Sequence, residues 1–383
     1  MLLMTLPTGD EVHRYKKSIV INFGGRRRVL STTPHNGGFR EDLTAVFNHD
    51  GTLGAGMAMT LRAPTYAEHM ALVAADLGLP ADTAAGLSTA AQMENLAIKT
   101  ETHREISVSA LVTGGVEVNG GRVGDPASWD ELTVFQDSPG TIKSQGTINI
   151  ILYLNIALSP GALTRALVTC TEAKTAALQE LMAPSRYSRG LATGSGTDGT
   201  ILVSNLDSPI TLTEAGKHCK LGEMIGRAVK PAVREALFLQ SGLCAEGQHD
   251  ILRRLLRFGV TEDRLWQRAR EAEGSVSAAP DGLRRARFAA LVRHLARQDM
   301  PLVYTSLYVH LLDELLWGLI SPAEACRAGA AVLELLGMGR CGLDEGAPPA
   351  GAEDCADTLV EALETGLAML LREAEEAARG ERP

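Results

Sequence analysis

The sequence predicts an α+β domain, a mixed sheet layered with helices, followed by an all-helical C-terminal region. Three observations predict it. Up to about residue 238 the chain alternates apolar, often β-branched runs with turns rich in Gly, Pro, Asn and Asp. Beyond about residue 240 strand signals vanish, and Leu, Ala, Arg and Glu recur at helical spacing. The last lysine is Lys230, so the composition shifts near the same point. A chain of 383 residues is long for one domain, and the expected division is 1–240 and 241–383.

In chain order, the expected strands are KSIVINF from Lys17, RVLSTTP from Arg28, LTAVFNH from Leu43, ISVSALVT from Ile106, INIILYLN from Ile148 and TILVSN from Thr200. The expected helices are TYAEHMALVAADLG from Thr65, AAQMENLAI from Ala90, residues 160–182 and a segment beginning near Ala215. Ser159-Pro160 supplies an N-cap followed by proline at the first helical position. In TLTEAGKHCKLGEMIGRAVKPAVREAL, Thr211 and Glu214 have the spacing of a capping box, and Pro231 should kink or end the helix. The C-terminal region offers amphipathic helices starting near His249, Leu283, Val303, Pro322 and Asp357, with linkers EGSVSAAPDG and DEGAPPAGAED between them.

Composition excludes several function classes. A net charge of −9 argues against a nucleic-acid surface as the main business. The run Arg26-Arg27-Arg28 reads as a solvated turn. The six cysteines show no CxxC or zinc-like spacing, and no H-x-x-x-H or H-E-x-x-H occurs, so neither a disulfide framework nor a dedicated metal site is expected. The N-terminal charges follow a short apolar start, and INIILYLNIALS is broken by asparagines. A soluble, cytoplasmic protein with no membrane partner is therefore expected. GSGTDG from Gly194 formally matches the dinucleotide fingerprint, but a helix precedes it and a strand follows, the reverse of what phosphate binding needs. There is no G-x-S-x-G elbow either.

Some residues break the pattern of their own element. At about 100° per residue, Leu163, Leu167, Cys170, Leu178 and Leu181 share a helical stripe, and Lys174 falls in its middle. A lysine there must find a carboxylate, reach a cleft or snorkel, and Asp198 follows closely enough to serve as partner. His218 shares its expected helix face with Leu221, Gly222, Ile225 and Val229; Gly222 and Gly226 suggest close approach to that face. Asn36-Gly37-Gly38 offers N–H groups in positive-φ conformations, equally suited to an anion or to a tight connection. His35, Asp42, Asn48 and His49 lie near strand ends, as do Thr147 and Asn149.

Taken in order, STTPHNGG from Ser31, the strand ending near Asn48, VTGG from Val112, Gly124-Asp125-Pro126, QGTIN from Gln145, TEAKTAAL from Thr171, ATGSGTD from Ala192 and AGKHCKLGEMIGRAV from Ala215 resemble the adenosylcobinamide amidohydrolase family. The resemblance implies hydrolysis of the amide that joins the aminopropanol arm to the corrin ring of adenosylcobinamide, giving adenosylcobyric acid for corrinoid salvage. It makes a corrinoid the substrate, with no separate cofactor. Within that reaction, the residues that break their own pattern point to Asp198 and His218 for proton transfer and Lys174 beside the oxyanion or Asp198. Asn36, Gly37, Gly38, Asn48, Asn149, Thr193, Ser195, Thr197 and Glu223 are the substrate-binding candidates. The chain departs from the family pattern at Lys217 and Cys219, which flank His218 where small hydroxyl residues are expected, and at Glu117. The alternatives are a non-catalytic corrinoid-binding protein, with His49 or His218 toward cobalt, and an amidohydrolase acting on another amide. Residues 241–383 lie outside the resemblance; a dimerisation module forming a homo-oligomer, a docking surface and a lid all fit them.

Overall fold

The structure is a computed structural model that describes residues 1–52, 59–127, 130, 141–142, 146–271, 281–343 and 348–379. The chain forms two compact units, Met1–Cys244 and Ala245–Pro383.

The first unit holds two mixed sheets. One orders its five strands as Leu2–Thr5, Glu11–Tyr15, Ser18–Asn22, Ala45–Asp50 and Ala84–Thr89. The other orders six as Gly38–Arg40, Arg27–Ser31, Gly199–Asn205, Asn149–Leu154, Ile106–Thr113 and Ala97–His103. Each sheet contains one parallel pair, and each parallel pair is bridged by a helix: Tyr66–Asp76 in the first, Pro160–Glu180 in the second.

Side-chain alternation shows how the layers stack. Ile151, Tyr153, Ile201 and Leu111 meet Ile19, Val46 and Ala85 in a core shared by the two sheets. Ile150, Leu152 and Leu154, one position out of phase, pack with Leu163, Cys170, Ile225 and Val229 of the Pro160–Glu180 and Lys220–Ser241 helices. On the far side Phe47 and Val20 pack with Met70 and Val73 of the Tyr66–Asp76 helix. The order of layers is helix, sheet, sheet, helices. Ile150–Leu154 reads as a continuous apolar run because both faces of this strand are covered.

The expected strands all form, Ile106–Thr113 with its expected bounds and the others with bounds shifted by at most three residues. AAQMENLAI is a correction: only Met93–Asn95 makes a short 3-10 turn, and Ala97–His103 is a strand. Its full-length antiparallel pairing with Ile106–Thr113 outweighs the helix preference of Ala, Glu and Leu. The helix expected near Ala215 starts instead at Lys220 and runs through Pro231 to Ser241. Buried Ala228, Val229, Ala232 and Val233 surround the proline, so packing offsets the lost hydrogen bond. Thr211 belongs to a short strand, and the cap is Cys219, whose Sγ accepts the Gly222 N–H at 3.4 Å. That thiol does at this position what a small hydroxyl would do.

The arginine run is also a correction. Arg27 is 3% exposed, donating from Nη2 to Asp10 Oδ1 at 2.8 Å and from Nε to the Tyr153 hydroxyl at 2.8 Å. Only a paired guanidinium tolerates such burial.

The second unit consists of helices at Ile251–Leu255, Glu262–Glu271, Asp281–Leu295, Asp299–Leu316, Pro322–Leu335 and Ala352–Arg379. Their core includes Leu255, Phe288, Tyr308, Leu312, Leu333 and Leu363. Inside it Arg257 Nη2 donates to Asp313 Oδ2 at 2.6 Å, and Tyr308 donates to the Leu359 carbonyl at 2.8 Å. Most of EGSVSAAPDG and the start of DEGAPPAGAED lie outside the described residues. Among the described residues, no helix is long and apolar enough to cross a membrane.

Candidate active site

The site is built where the Pro160–Glu180 helix passes the ATGSGTD loop. Gly194–Ser195 pairs antiparallel with Gly120–Gly121, and Thr193 N donates to the Gly121 carbonyl at 2.8 Å, so the loop is held as a short strand. Gly199 then enters the six-stranded sheet in register with Asn149. Asp198 stands at this junction, one residue before the strand.

Lys174 Nζ donates to Asp198 Oδ2, and the two side chains are only 12% and 13% exposed. Ser195 N–H reaches the same oxygen at 3.0 Å. On Oδ1 the carboxylate accepts the Ser195 hydroxyl at 2.6 Å and the Ile148 N–H at 2.9 Å. Four donors therefore converge on one carboxylate. Gly194 is dictated by this arrangement, since a Cβ there would lie 2.3 Å from Asp198 Oδ2 and 2.8 Å from Lys174 Nζ.

These groups line a cavity of about 690 Å³, together with Thr171, Thr175, Thr193, Arg122, Asp125 and Tyr187. Thr175 donates to the Thr193 carbonyl at 3.2 Å, and Thr193 Oγ1 accepts the Val123 N–H at 2.9 Å. Tyr187 and Val123 are 48% and 83% exposed, giving the polar floor an apolar rim. Burial works against the charge of Asp125, yet hydrogen bonds from Ser185, Ser188 and the Arg122 N–H hold its carboxyl below the usual range.

The structure brings Lys174, Thr193, Ser195 and Asp198 together, and Thr197 reaches Thr147 Oγ1 at 2.6 Å beside them. Asn48 and Asn149 form a neighbouring cluster between the sheets. Asn149 donates to Asn48 Oδ1 at 2.7 Å and to the Ser88 carbonyl at 3.0 Å, and Asn48 donates to Thr113 at 2.8 Å. Asn149 Oδ1 is buried and has no hydrogen-bond partner among the described residues.

His218 is a correction in its local structure. It lies in the exposed turn ahead of Cys219, not on the helix, and it is not among the cavity residues. The approach that Gly222 suggested is made by backbone: a Cβ there would meet the Gly216 carbonyl oxygen at 2.0 Å, whereas Gly226 faces open space. Glu223 sits on the helix surface, paired with Lys220 at 2.5 Å and Arg227 at 3.0 Å, its carboxyl held below the usual range first by the Lys220 hydrogen bond.

Asn36 adopts φ 54° and donates to the Ala81 and Ala84 carbonyls at 2.6 and 2.8 Å. Gly37 lies against the Thr33 carbonyl and Gly38 has φ 77°, so this turn is stitched by its own contacts. His49 lines a separate cavity of about 480 Å³ with Lys17, Arg62 and His69. Gln145 of QGTIN lies outside the described residues.

Sequence reasoning passed over Arg122, Thr171, Thr175 and Tyr187. The hydroxyls were readable in principle, because Thr171, Lys174 and Thr175 recur at i, i+3 and i+4 and so share one helix face. Tyr187 and Arg122 come from loops with no periodicity to reveal them.

Among the described residues, no group of three or more His, Cys, Asp or Glu side chains is arranged to hold a metal ion. An uncharacterized protein of Methanocaldococcus jannaschii is 36% identical to this chain over 231 residues, 58% of the chain and 87% of that protein. The model of the adenosylcobinamide amidohydrolase family matches residues 3–245, which include every residue of the cavity. The chain belongs to the adenosylcobinamide amidohydrolase family.

Proposed function

We propose that the protein hydrolyses the amide between the aminopropanol arm and the corrin ring of adenosylcobinamide, yielding adenosylcobyric acid, and that the Lys174–Asp198–Ser195 constellation carries the chemistry. The observation that supports this most is the convergence of an ammonium, a carboxylate and a hydroxyl on the wall of a cavity, within the family-matched part of the chain.

Amide hydrolysis needs an attacking oxygen, charge to stabilise the tetrahedral oxyanion and a proton for the departing amine. The Ser195 hydroxyl already donates to Asp198 Oδ1 at 2.6 Å, within nucleophile-to-base distance. In this proposal Asp198 takes the proton of the attacking oxygen, whether that is Ser195 Oγ or a water in its place, and returns a proton to the aminopropanol nitrogen. Where Ser195 attacks, a water activated by Asp198 then cleaves the resulting ester, releasing the acid and restoring the hydroxyl. Lys174 holds Asp198 in orientation and sets a positive charge beside the oxyanion. Thr171, Thr175 and Thr193 offer hydroxyls for the amide arms of the corrin, and Tyr187 with Val123 covers its apolar edge. His218 has no assigned step, because it does not line the cavity.

The test is incubation of the purified protein with adenosylcobinamide, followed by separation and mass analysis of the products. Adenosylcobyric acid with free aminopropanol is the expected outcome. A shift of the corrinoid spectrum without product would replace hydrolysis by corrinoid binding. Neither signal would sink the substrate assignment.

A further inference from the structure

The helical unit contains a pair of thiols that amide hydrolysis does not use. Cys326 lies on the Pro322–Leu335 helix and Cys355 in the first turn of Ala352–Arg379, and their Sγ atoms are 3.5 Å apart. A disulfide has an S–S distance of about 2.05 Å, so side-chain rotation of the order of 1.5 Å closes the gap. Cys355 is fully buried, whereas Cys326 is partly exposed. The nearby Cys341 is tied down differently, donating its thiol to the Met338 carbonyl at 3.1 Å from a backbone at φ 45°. Cys170, by contrast, is enclosed in the core of the other unit.

We propose that Cys326 and Cys355 form a redox-modification site, a dithiol that hydroperoxides convert to a disulfide within the helical unit. Cys326, the more accessible of the two, reacts first. Its thiolate sulfur attacks a peroxide oxygen, the O–O bond breaks, and the departing hydroxide leaves as water with the thiol's proton. Cys326 is then a sulfenic acid. The Cys355 sulfur attacks the Cys326 sulfur, the S–O bond breaks, and a second water departs with the Cys355 proton. Overall two thiols lose two electrons and two protons while hydrogen peroxide is reduced to two waters. Burial pushes the Cys355 thiol up to about 12, so it stays protonated and does not compete with Cys326 for the peroxide. It gives up its proton only as its sulfur attacks the adjacent sulfenic acid, 3.5 Å away before oxidation. The bond ties the start of the Ala352–Arg379 helix to its neighbour and closes the chain between positions 326 and 355.

The experiment treats the reduced full-length protein with hydrogen peroxide, then counts thiols by alkylation after denaturation and measures intact mass. The expected product is a monomer lighter by two hydrogens, with two of its six cysteines protected and both recovered by dithiothreitol. Cys341→Ser should keep that product, and Cys326→Ser and Cys355→Ala should each abolish it. Cys326 is partly exposed, so its variant remains informative even if the buried Cys355 site tolerates no change. Six alkylated thiols after treatment, oxygen added at Cys326 without loss of hydrogens, a link that survives Cys355→Ala, or links only between chains would each overturn the proposal.

Discussion

Lys174 occupies a helical stripe otherwise filled by Leu163, Cys170 and Leu178, and Asp198 is what makes that placement tolerable. The pair is nearly enclosed, so each charge depends on the other for its solvation. Lys174→Met and Asp198→Asn should each lower kcat/KM for adenosylcobinamide by at least ~10²-fold with the circular dichroism spectrum unchanged, the scale of a lost acid–base or charged group. Ser195→Ala separates the two attacking oxygens: a loss of similar size assigns the attack to Ser195, and a loss of only a few-fold assigns it to water. His218→Ala should leave activity within a few-fold of wild type, because that imidazole stands in an exposed turn outside the cavity. Full activity in both the Lys174 and Asp198 variants would remove the constellation from the chemistry altogether.

At the scale of elements, the sequence shows local pattern and hides pairing. INIILYLN and ISVSALVT were legible because apolar and β-branched residues predominate in them, with only Asn149, Asn155, Ser107 and Ser109 interrupting. The hairpin from Glu11 to Asn22 was half seen: its first strand carries Glu, His and Arg, and its turn places Lys16 and Lys17 at positive φ, where glycine or asparagine would have announced it. Of the site, Lys174 and Asp198 were legible as an anomaly and a nearby partner. What no local pattern discloses is that Asn48, Thr113 and Asn149, far apart in the chain, meet between two sheets. Strand order decides that, and strand order is set by packing over the whole unit. Their contacts are energetic as well as topological. Thr113→Val keeps the shape but deprives the buried Asn48 amide of its acceptor, which should cost about 1–3 kcal/mol in urea denaturation. An unchanged midpoint would mean that the amide finds another partner.

For the molecule as a whole, acid sensitivity and division of labour both follow from burial. His49, near the end of an inner strand of the five-stranded sheet, has its pKa pushed down to about 4, first by burial and then by Lys17, His69 and Arg62, with Asp50 opposing. The unfolded chain protonates this imidazole near its ordinary value, about 6.5, whereas the folded chain resists until about pH 4. The unfolded state therefore binds more protons between those values, and stability is full above pH 6.5 and falls as pH drops toward 4, by up to about 3 kcal/mol. His49→Gln should flatten that part of the pH–stability curve. The division of labour is a separate matter. Every residue of the site cavity and the inter-sheet core lies within Met1–Cys244, and the family match, residues 3–245, ends one residue beyond it, while Ala245–Pro383 has its own core around Phe288, Tyr308 and Leu312. Each unit thus holds the apolar surface that a fold needs. A chain truncated after Cys244 should fold, unfold cooperatively and hydrolyse adenosylcobinamide with kcat/KM within a few-fold of the full chain. Gel filtration of both forms shows whether the helical unit sets the oligomeric state. A truncated chain that folds but binds substrate weakly would instead make the helical unit a part of substrate capture.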